Sequence, residues 1–295
     1  MDGQRSPLPG GGNDAPPAAG AAPAVGFIGL GDQGLPMARA VAEAGFPLHV
    51  WARRPASLDG LHGVPHTAHD TLSDLAMAAD IVALCVSTDE DVFDLVTGGL
   101  LAAMRPGAVL VNHGTGLPAA AVRLTELCAP AGVQVLDAPV SGGRPGAVQR
   151  RLTTLVGGPE PAARRCEPVF AAFSGHVVHL GAAGSGQLAK LLNNALLMLN
   201  QAAVADIVEL TGPLGLDAAR VADVLKLGSA ASTALTLLNT MVTPDNVEHL
   251  SGVEALDMEL FDAAMRQAGV DAAAITARGL AGANGLPKLV RRLNA

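Results

Sequence analysis

The segment from Val25 to Met37, VGFIGLGDQGLPM, constrains the fold more than any other part of the chain. An apolar run, Val25 to Leu30, passes straight into Gly29-x-Gly31-x-x-Gly34, and a helical pattern follows from Leu35 to Ala44. That order is the strand, glycine turn and helix start of a βαβ unit built to bind a dinucleotide. Gly29 serves the tight turn, Gly31 lets backbone approach a pyrophosphate, and Gly34 allows close packing of helix on strand. The free N–H groups and positive dipole end of the helix then face the phosphates. The expected cofactor turn is therefore Gly29, Leu30, Gly31, Asp32, Gln33 and Gly34.

Alternation of strand and helix signals continues downstream. Strands are expected at Pro47–Trp51, Ile81–Ser87, Ala108–Asn112 and Gln134–Ala138, with helices at Thr71–Ala79, Asp89–Leu101 and Pro118–Pro130 between them. This βαβ spacing predicts a parallel, doubly wound sheet covered on both faces. Leu152–Val156 and Val177–Leu180 read as closing strands. Beyond Gly186 the pattern turns helical, at roughly Gln187–Thr211, Ala218–Leu227, Ala234–Thr240, Ser251–Ala268 and Ala272–Gly282. The expected class is thus α/β: a Gly/Pro/Ala-rich disordered tail over 1–24, a Rossmann domain over 25–185 and an all-α domain over 186–295. The first helix of that last unit is apolar on more than one side, which suggests burial against a second subunit.

Composition narrows the partners. Net charge is −8, no long Lys/Arg run occurs, and with no Tyr and one Trp there are few stacking platforms, so nucleic acid is not expected. Apolar runs break before membrane-spanning length, and the tail lacks a signal core, which points to a soluble cytoplasmic protein. Cys85, Cys128 and Cys166 are odd in number and far apart, so they read as buried thiols of a reducing compartment.

Several clusters could carry chemistry. The second strand ends in Ala52-Arg53-Arg54, with no acid until Asp59. An acid there would take the ribose 2′-hydroxyl of NAD, whereas an arginine pairs a 2′-phosphate, so NADP(H) is preferred and NAD(H) is the alternative. Two surface arginines in a turn would look the same. In Asp137-Ala-Pro-Val-Ser141-Gly142-Gly143, a strand breaks into a glycine turn. Its N–H groups and the Ser141 hydroxyl could hold a carboxylate, or the turn could be an ordinary strand end. Along the first long helix, Gln187, Lys190, Asn194 and Gln201 fall on one stripe about 60° wide at 100° per residue. Lys190 is either snorkelling at the helix edge or tuned to exchange a proton. His62, His66 and His69 have helical spacing that Gly63 and Pro65 interrupt, so no metal site is expected. His113 at a strand end could touch a ligand or support a turn.

Together these segments resemble the β-hydroxyacid dehydrogenase family, which includes 3-hydroxyisobutyrate and tartronate semialdehyde dehydrogenases. GFIGLGDQGLPMA is similar to the family's opening motif, DAPVSGGRPGAVQRRLTTLVGG (137–158) to its substrate motif and GSGQLAKLLNN (184–194) to its catalytic one. The resemblance implies Lys190 as general acid/base and Asn194 as a holder of the reacting oxygen. It also implies that Ser141, Gly142 and Gly143 bind a small carboxylate-bearing substrate and that Thr115 borders the nicotinamide. A homodimer or homotetramer through the helical domain is implied as well. Departures are Gln33 for the family's common Met, His113-Gly114 before Thr115, and Leu256 where the family commonly has a lysine before Asp257. Competing readings are an imine reductase-like enzyme, which Lys190 counts against, and a catalytically weak cofactor-binding member, which Leu256 keeps open. A 6-phosphogluconate dehydrogenase fits less well, because Asn193 stands where its histidine would be.

Overall fold

The computed structural model describes residues 22–294; the expected tail lies, up to residue 21, outside the described residues. The elements run β1 (Val25–Ile28), α1 (Gly34–Glu43), β2 (Leu48–Trp51), β3 (Thr67–Ala68), α2 (Leu72–Ala78), β4 (Ile81–Leu84), α3 (Asp89–Leu95), α4 (Leu101–Ala103), β5 (Val109–Asn112) and α5 (Pro118–Cys128). Next come β6 (Gln134–Asp137), β7 (Val140–Ser141), α6 (Gly143–Val148), β8 (Leu152–Gly157), α7 (Glu160–Phe170) and β9 (Ser174–Gly181). The helices α8 (Ser185–Glu209), α9 (Ala218–Leu227), α10 (Thr233–Leu237), α11 (Val247–Gln267) and α12 (Ala273–Leu293) complete the chain.

Six strands lie parallel in the order β3-β2-β1-β4-β5-β6. Successive residues of a central strand serve opposite cores. Ile81 and Ala83 pack with Phe27, Val41 and Phe170 on one face, whereas Val82 and Leu84 pack with Leu75, Leu95 and Leu124 on the other. That two-sided burial is why IVAL and VLVN are continuous apolar runs. The parallel core of the sheet is as expected, and the strands that close it add a reversal. β8 runs antiparallel to both β6 and β7, and β9 pairs parallel to β8. The link between β7 and β8 holds only the short α6, too little chain for a parallel crossover, so the strand comes back reversed.

The sheet also holds a helix that the sequence pattern does not announce. Pro159, Pro161 and Pro168 break up the α7 segment, yet the prolines at its start fall where N–H groups are unpaired anyway. Cys166, Val169 and Phe170 then cover the sheet. The expected helix over Asp89–Leu101 is divided by a wide turn at Val96–Leu100, where Gly99 adopts φ 123°.

In the helical part, α8 packs against α11 and α12 and lays its first turns on β8. On length and composition α8 could cross a bilayer, but Gln187, Asn194 and Gln201 are buried along it, which fits a core helix of this fold. The last helix runs on to Leu293, past the expected end at Gly282. Gly282 lies inside the helix because α8 and α12 touch there: a Cβ at Gly282 would overlap the carbonyl oxygen of Met198. Backbone cannot retreat as a flexible side chain does, so Gly282→Ala is expected to destabilise the fold by about 1–3 kcal/mol. Urea unfolding of the variant checks this, and an unchanged midpoint would mean that the helices separate at little cost.

Candidate active site

The glycine turn behaves as its spacing suggests. Gly29 has φ +98° and a Cβ there would overlap the Cys85 carbonyl, while one at Gly34 would overlap the carbonyl of Gly29. A Cβ at Gly31 would meet nothing within 4 Å, so the backbone there is open to an approaching phosphate. The turn borders a cavity of about 450 Å³ lined by Gly29, Leu30, Gly31, Arg53 and Arg54. A bare glycine cradle under a pair of arginines fits a phosphorylated dinucleotide.

Sequence reasoning missed Ser57 and Asp91 in this cavity. Arg53 Nη2 donates to Asp91 Oδ1 at 2.9 Å. Arg53, and then Thr88, hold the Asp91 carboxyl below its ordinary range. Arg54 has no such acid partner among the described residues. Other members of the turn lie elsewhere. Asp32 is exposed, 3.8 Å from Arg144, Gly34 is buried below the turn, and Gln33 lines a second cavity.

That second cavity, about 350 Å³, brings together Ser141, Gly142, Gly143, Lys190 and Asn194, with Asp257 and Glu254 from α11. One buried carboxylate sets the spacing between the two parts of the chain. Asp137, 1% exposed at the end of β6, accepts from the Gly184 N–H at 2.8 Å and the Gln187 N–H at 2.9 Å. These are unpaired N–H groups at the start of α8, where an anion is favoured. Burial raises the Asp137 pKa, and the backbone N–H donors oppose that rise.

Gln187 in turn accepts from the Gly116 N–H at 2.9 Å and donates to the Gly114 carbonyl at 2.8 Å. Thr115 therefore sits on a loop clamped from both sides, though it lines neither cavity. Asp89 adds a third hold by accepting from the Leu117 N–H at 2.9 Å.

Asn194 Nδ2 donates to Asp257 Oδ2 at 2.7 Å, and Asn193 Nδ2 lies 3.5 Å from Ser141 Oγ. Burial lowers the Lys190 pKa, with Asp257 pulling it back up; burial raises Asp257, with Lys190 and Asn194 opposing. Desolvation makes a lysine readier to give up its proton, and a neighbouring carboxylate moderates that effect. Leu256, by contrast, is 60% exposed and lies outside both cavities.

His113 is structural: it is 3% exposed, its ring rests among Phe27, Phe170 and Phe173, and Nδ1 lies 2.7 Å from the Ala138 carbonyl. Burial brings its pKa down to about 4, so it stays neutral. The other histidines scatter, with His49 and His69 meeting at 2.9 Å and His66 turned to the Val64 carbonyl. The three thiols are unpaired, and burial pushes Cys85 and Cys166 up to about 12 and Cys128 to about 11.

A dinucleotide groove and a polar cavity with a desolvated lysine, bordered by the same glycine turn, fit a nucleotide-linked oxidoreductase architecture. Residues 24–181 match the NAD binding domain of 6-phosphogluconate dehydrogenase, and residues 184–281 match the NAD-binding domain of NADP-dependent 3-hydroxyisobutyrate dehydrogenase. Two Pseudomonas aeruginosa proteins, an NAD-dependent L-serine dehydrogenase and a 3-hydroxyisobutyrate dehydrogenase, are each 34% identical over 73% of this chain and 73% of their own. The Mycobacterium tuberculosis 3-hydroxyisobutyrate dehydrogenase, solved with L-serine, superposes with a TM-score of 0.81 at 27% identity, covering 93% of this chain and all of that one. The chain belongs to the β-hydroxyacid dehydrogenase family.

The site has one unusual acid. Burial, and more weakly Asp257, push Glu254 from an ordinary 4.5 up to about 7, against a hydrogen bond from Gln201. In the unfolded chain this carboxyl loses its proton first, so folding takes up a proton between those two pH values. Its contribution to stability is full below about 4.5 and falls as pH rises towards 7. Glu254→Gln mimics the protonated form, so its urea midpoint should drop less than the wild type's between about pH 5 and about pH 8. Parallel pH curves for the two proteins would show that ionising Glu254 costs the fold nothing.

Proposed function

We propose that the chain is an NADP(H)-dependent oxidoreductase that moves a hydride between the nicotinamide and a small β-hydroxy acid or its semialdehyde. The observation that carries this reading is the meeting of Lys190, Asn194 and Ser141–Gly143, from two separate parts of the chain, in one cavity. The relatives named for serine and 3-hydroxyisobutyrate support the substrate class, since both compounds are β-hydroxy acids. Dehydrogenase chemistry on a small hydroxy acid is the common ground of these relatives.

When bound, the cofactor supplies the hydride acceptor or donor at nicotinamide C4. The chain does the rest. Ser141, Gly142 and Gly143 receive the substrate carboxylate on N–H groups and a hydroxyl, fixing the carbinol carbon in the cavity. Lys190 Nζ, as the neutral amine, takes the hydroxyl proton as hydride leaves the carbinol carbon, and returns it to the carbonyl oxygen in reduction. Asn194, tied to Asp257, orients that oxygen, and Thr115 borders the nicotinamide. Asp257 also offsets the ammonium formed on Lys190.

Lys190→Ala is expected to lower kcat about 100-fold or more while NADPH binding persists, measured by NADPH oxidation with a semialdehyde panel and by fluorescence titration. Turnover equal to wild type would sink the assignment of Lys190. Arg53 and Arg54 are proposed to hold the 2′-phosphate, Arg54 with its guanidinium free to do so. Losing one charge-assisted contact is worth about 1.5–3 kcal/mol, so Arg54→Ala should reduce kcat/KM for NADPH about 10–100-fold with little change for NADH. Equal losses with both cofactors would remove Arg54 from cofactor discrimination.

The oligomer is proposed to form through the helical part, as a homodimer or homotetramer. Leu188, Leu192, Leu196, Ile207 and Leu210 leave an apolar face of α8 and its C-terminal end in water within a single chain, which a second copy would cover. Three unpaired, protonated thiols support a reducing, cytoplasmic setting.

A further inference from the structure

The substrate cavity holds one charged group that hydride and proton transfer do not use. Its charged lining residues, among those described, are Lys190, Asp257 and Glu254. Lys190 and Asp257 offset one another. Glu254 has no cation of its own among the described residues; its Oε1 accepts only from Gln201 Nε2, at 2.9 Å. Gln201 is 2% exposed. The remaining oxygens of this pair, Glu254 Oε2 and Gln201 Oε1, are both buried and both lack a donor.

Buried acceptors without donors are disfavoured, and a carboxylate more so than an amide. The pair therefore needs something rich in N–H or O–H, and a positive charge would meet the need best. A methyl group brings neither, and a hydroxyl brings one donor without charge. A protonated amine brings several donors together with the charge. Oε2 itself is closed over, but the residue is only partly covered and borders the cavity, so an amine arriving from the substrate side meets this acid once its carboxylate turns about the Cγ–Cδ bond. Ser141–Gly143 line the same cavity from the sheet part of the chain.

We propose that Glu254, supported by Gln201, is a specificity-determining residue that selects hydroxy acids carrying a protonated amino group over their desamino counterparts. The inference rests on the hydroxy-acid reading of this cavity, with the substrate carboxylate on the Ser141 turn and its ammonium group on Glu254. A substrate of this kind is a zwitterion, and the cavity presents N–H donors for one end and a carboxylate for the other. The competing occupant is a single proton shared within the Glu254–Gln201 pair.

The test uses racemic serine and 3-hydroxypropionate, which differ only in the amino group. Two readouts are taken on wild type and Glu254→Gln: kcat/KM for NADP⁺-linked oxidation, and calorimetric binding to the NADPH-loaded enzyme, where reduced cofactor and alcohol form a complex that does not turn over. Wild type should favour serine about tenfold or more in both, and Glu254→Gln should cut that ratio about tenfold, as expected for one lost charged contact. Glu254→Leu serves as a second variant, with urea curves confirming that both are folded. A wild-type preference for 3-hydroxypropionate, or a ratio that neither substitution changes, would overturn the inference and leave Glu254 as the acid of a shared proton. Failure of wild type to bind or oxidise either compound, together with Lys190→Ala matching wild type on semialdehydes, would overturn the hydroxy-acid reading itself and this inference with it.

Discussion

Asp137, a carboxylate with almost no access to water, joins the sheet to the helices, and the geometry of the site follows from it. It ends β6 and accepts two N–H groups from the first turn of α8. A buried charge of this kind is tolerable only while its donors stay in place, so neither partner can drift without exposing the other to desolvation. Ser141 follows Asp137 by one short turn, and Lys190 follows Gln187 by one turn of helix. The distance between the Ser141–Gly143 turn and the lysine is therefore set at this one seam. Gln187 extends the same hold to Gly114 and Gly116, so the loop that carries Thr115 moves with α8.

The two cavities differ in how they manage charge. In the nucleotide groove, Arg53 is paired with Asp91 at the surface, where an exposed ion pair contributes little and serves to aim a side chain. In the second cavity, Lys190, Asp257 and Glu254 are withdrawn from water, and each resists ionisation unless a neighbour compensates. Desolvation lowers the Lys190 pKa, and the same enclosure leaves Glu254 Oε2 without a donor.

Legibility in the sequence varied with the range of the contact involved. Central strands such as Ile81–Leu84 were plain, because burial on both faces writes itself as an unbroken apolar run. The stripe of Gln187, Lys190, Asn194 and Gln201 was plain for the same local reason, since 3.6-residue periodicity places side chains along a helix whatever lies opposite. What lay opposite was not visible. Asn194 meets Asp257 across 63 residues, and Gln201 meets Glu254 across 53. Glu254 and Asp257 look like ordinary helix-surface acids until α11 is laid against α8. Helix α7 was hidden by its prolines, and the extension of α12 past Gly282 by a glycine that reads as a stop but serves as a contact point.

Local chemistry, then, settles a nucleotide turn, a run of parallel strands and a helix with a polar stripe, because turns, pleats and helical faces depend on neighbours a few residues away. Folding settles everything that depends on which faces meet. It reverses β8, packs His113 among three phenylalanines, and sends Gln33 to the cavity of Lys190 and Asn194. It also leaves Leu256 in water while Asp257 and Glu254 turn inward. Those outcomes depend on burial and on distant hydrogen-bond partners, and neither is encoded in the spacing of residues along the chain.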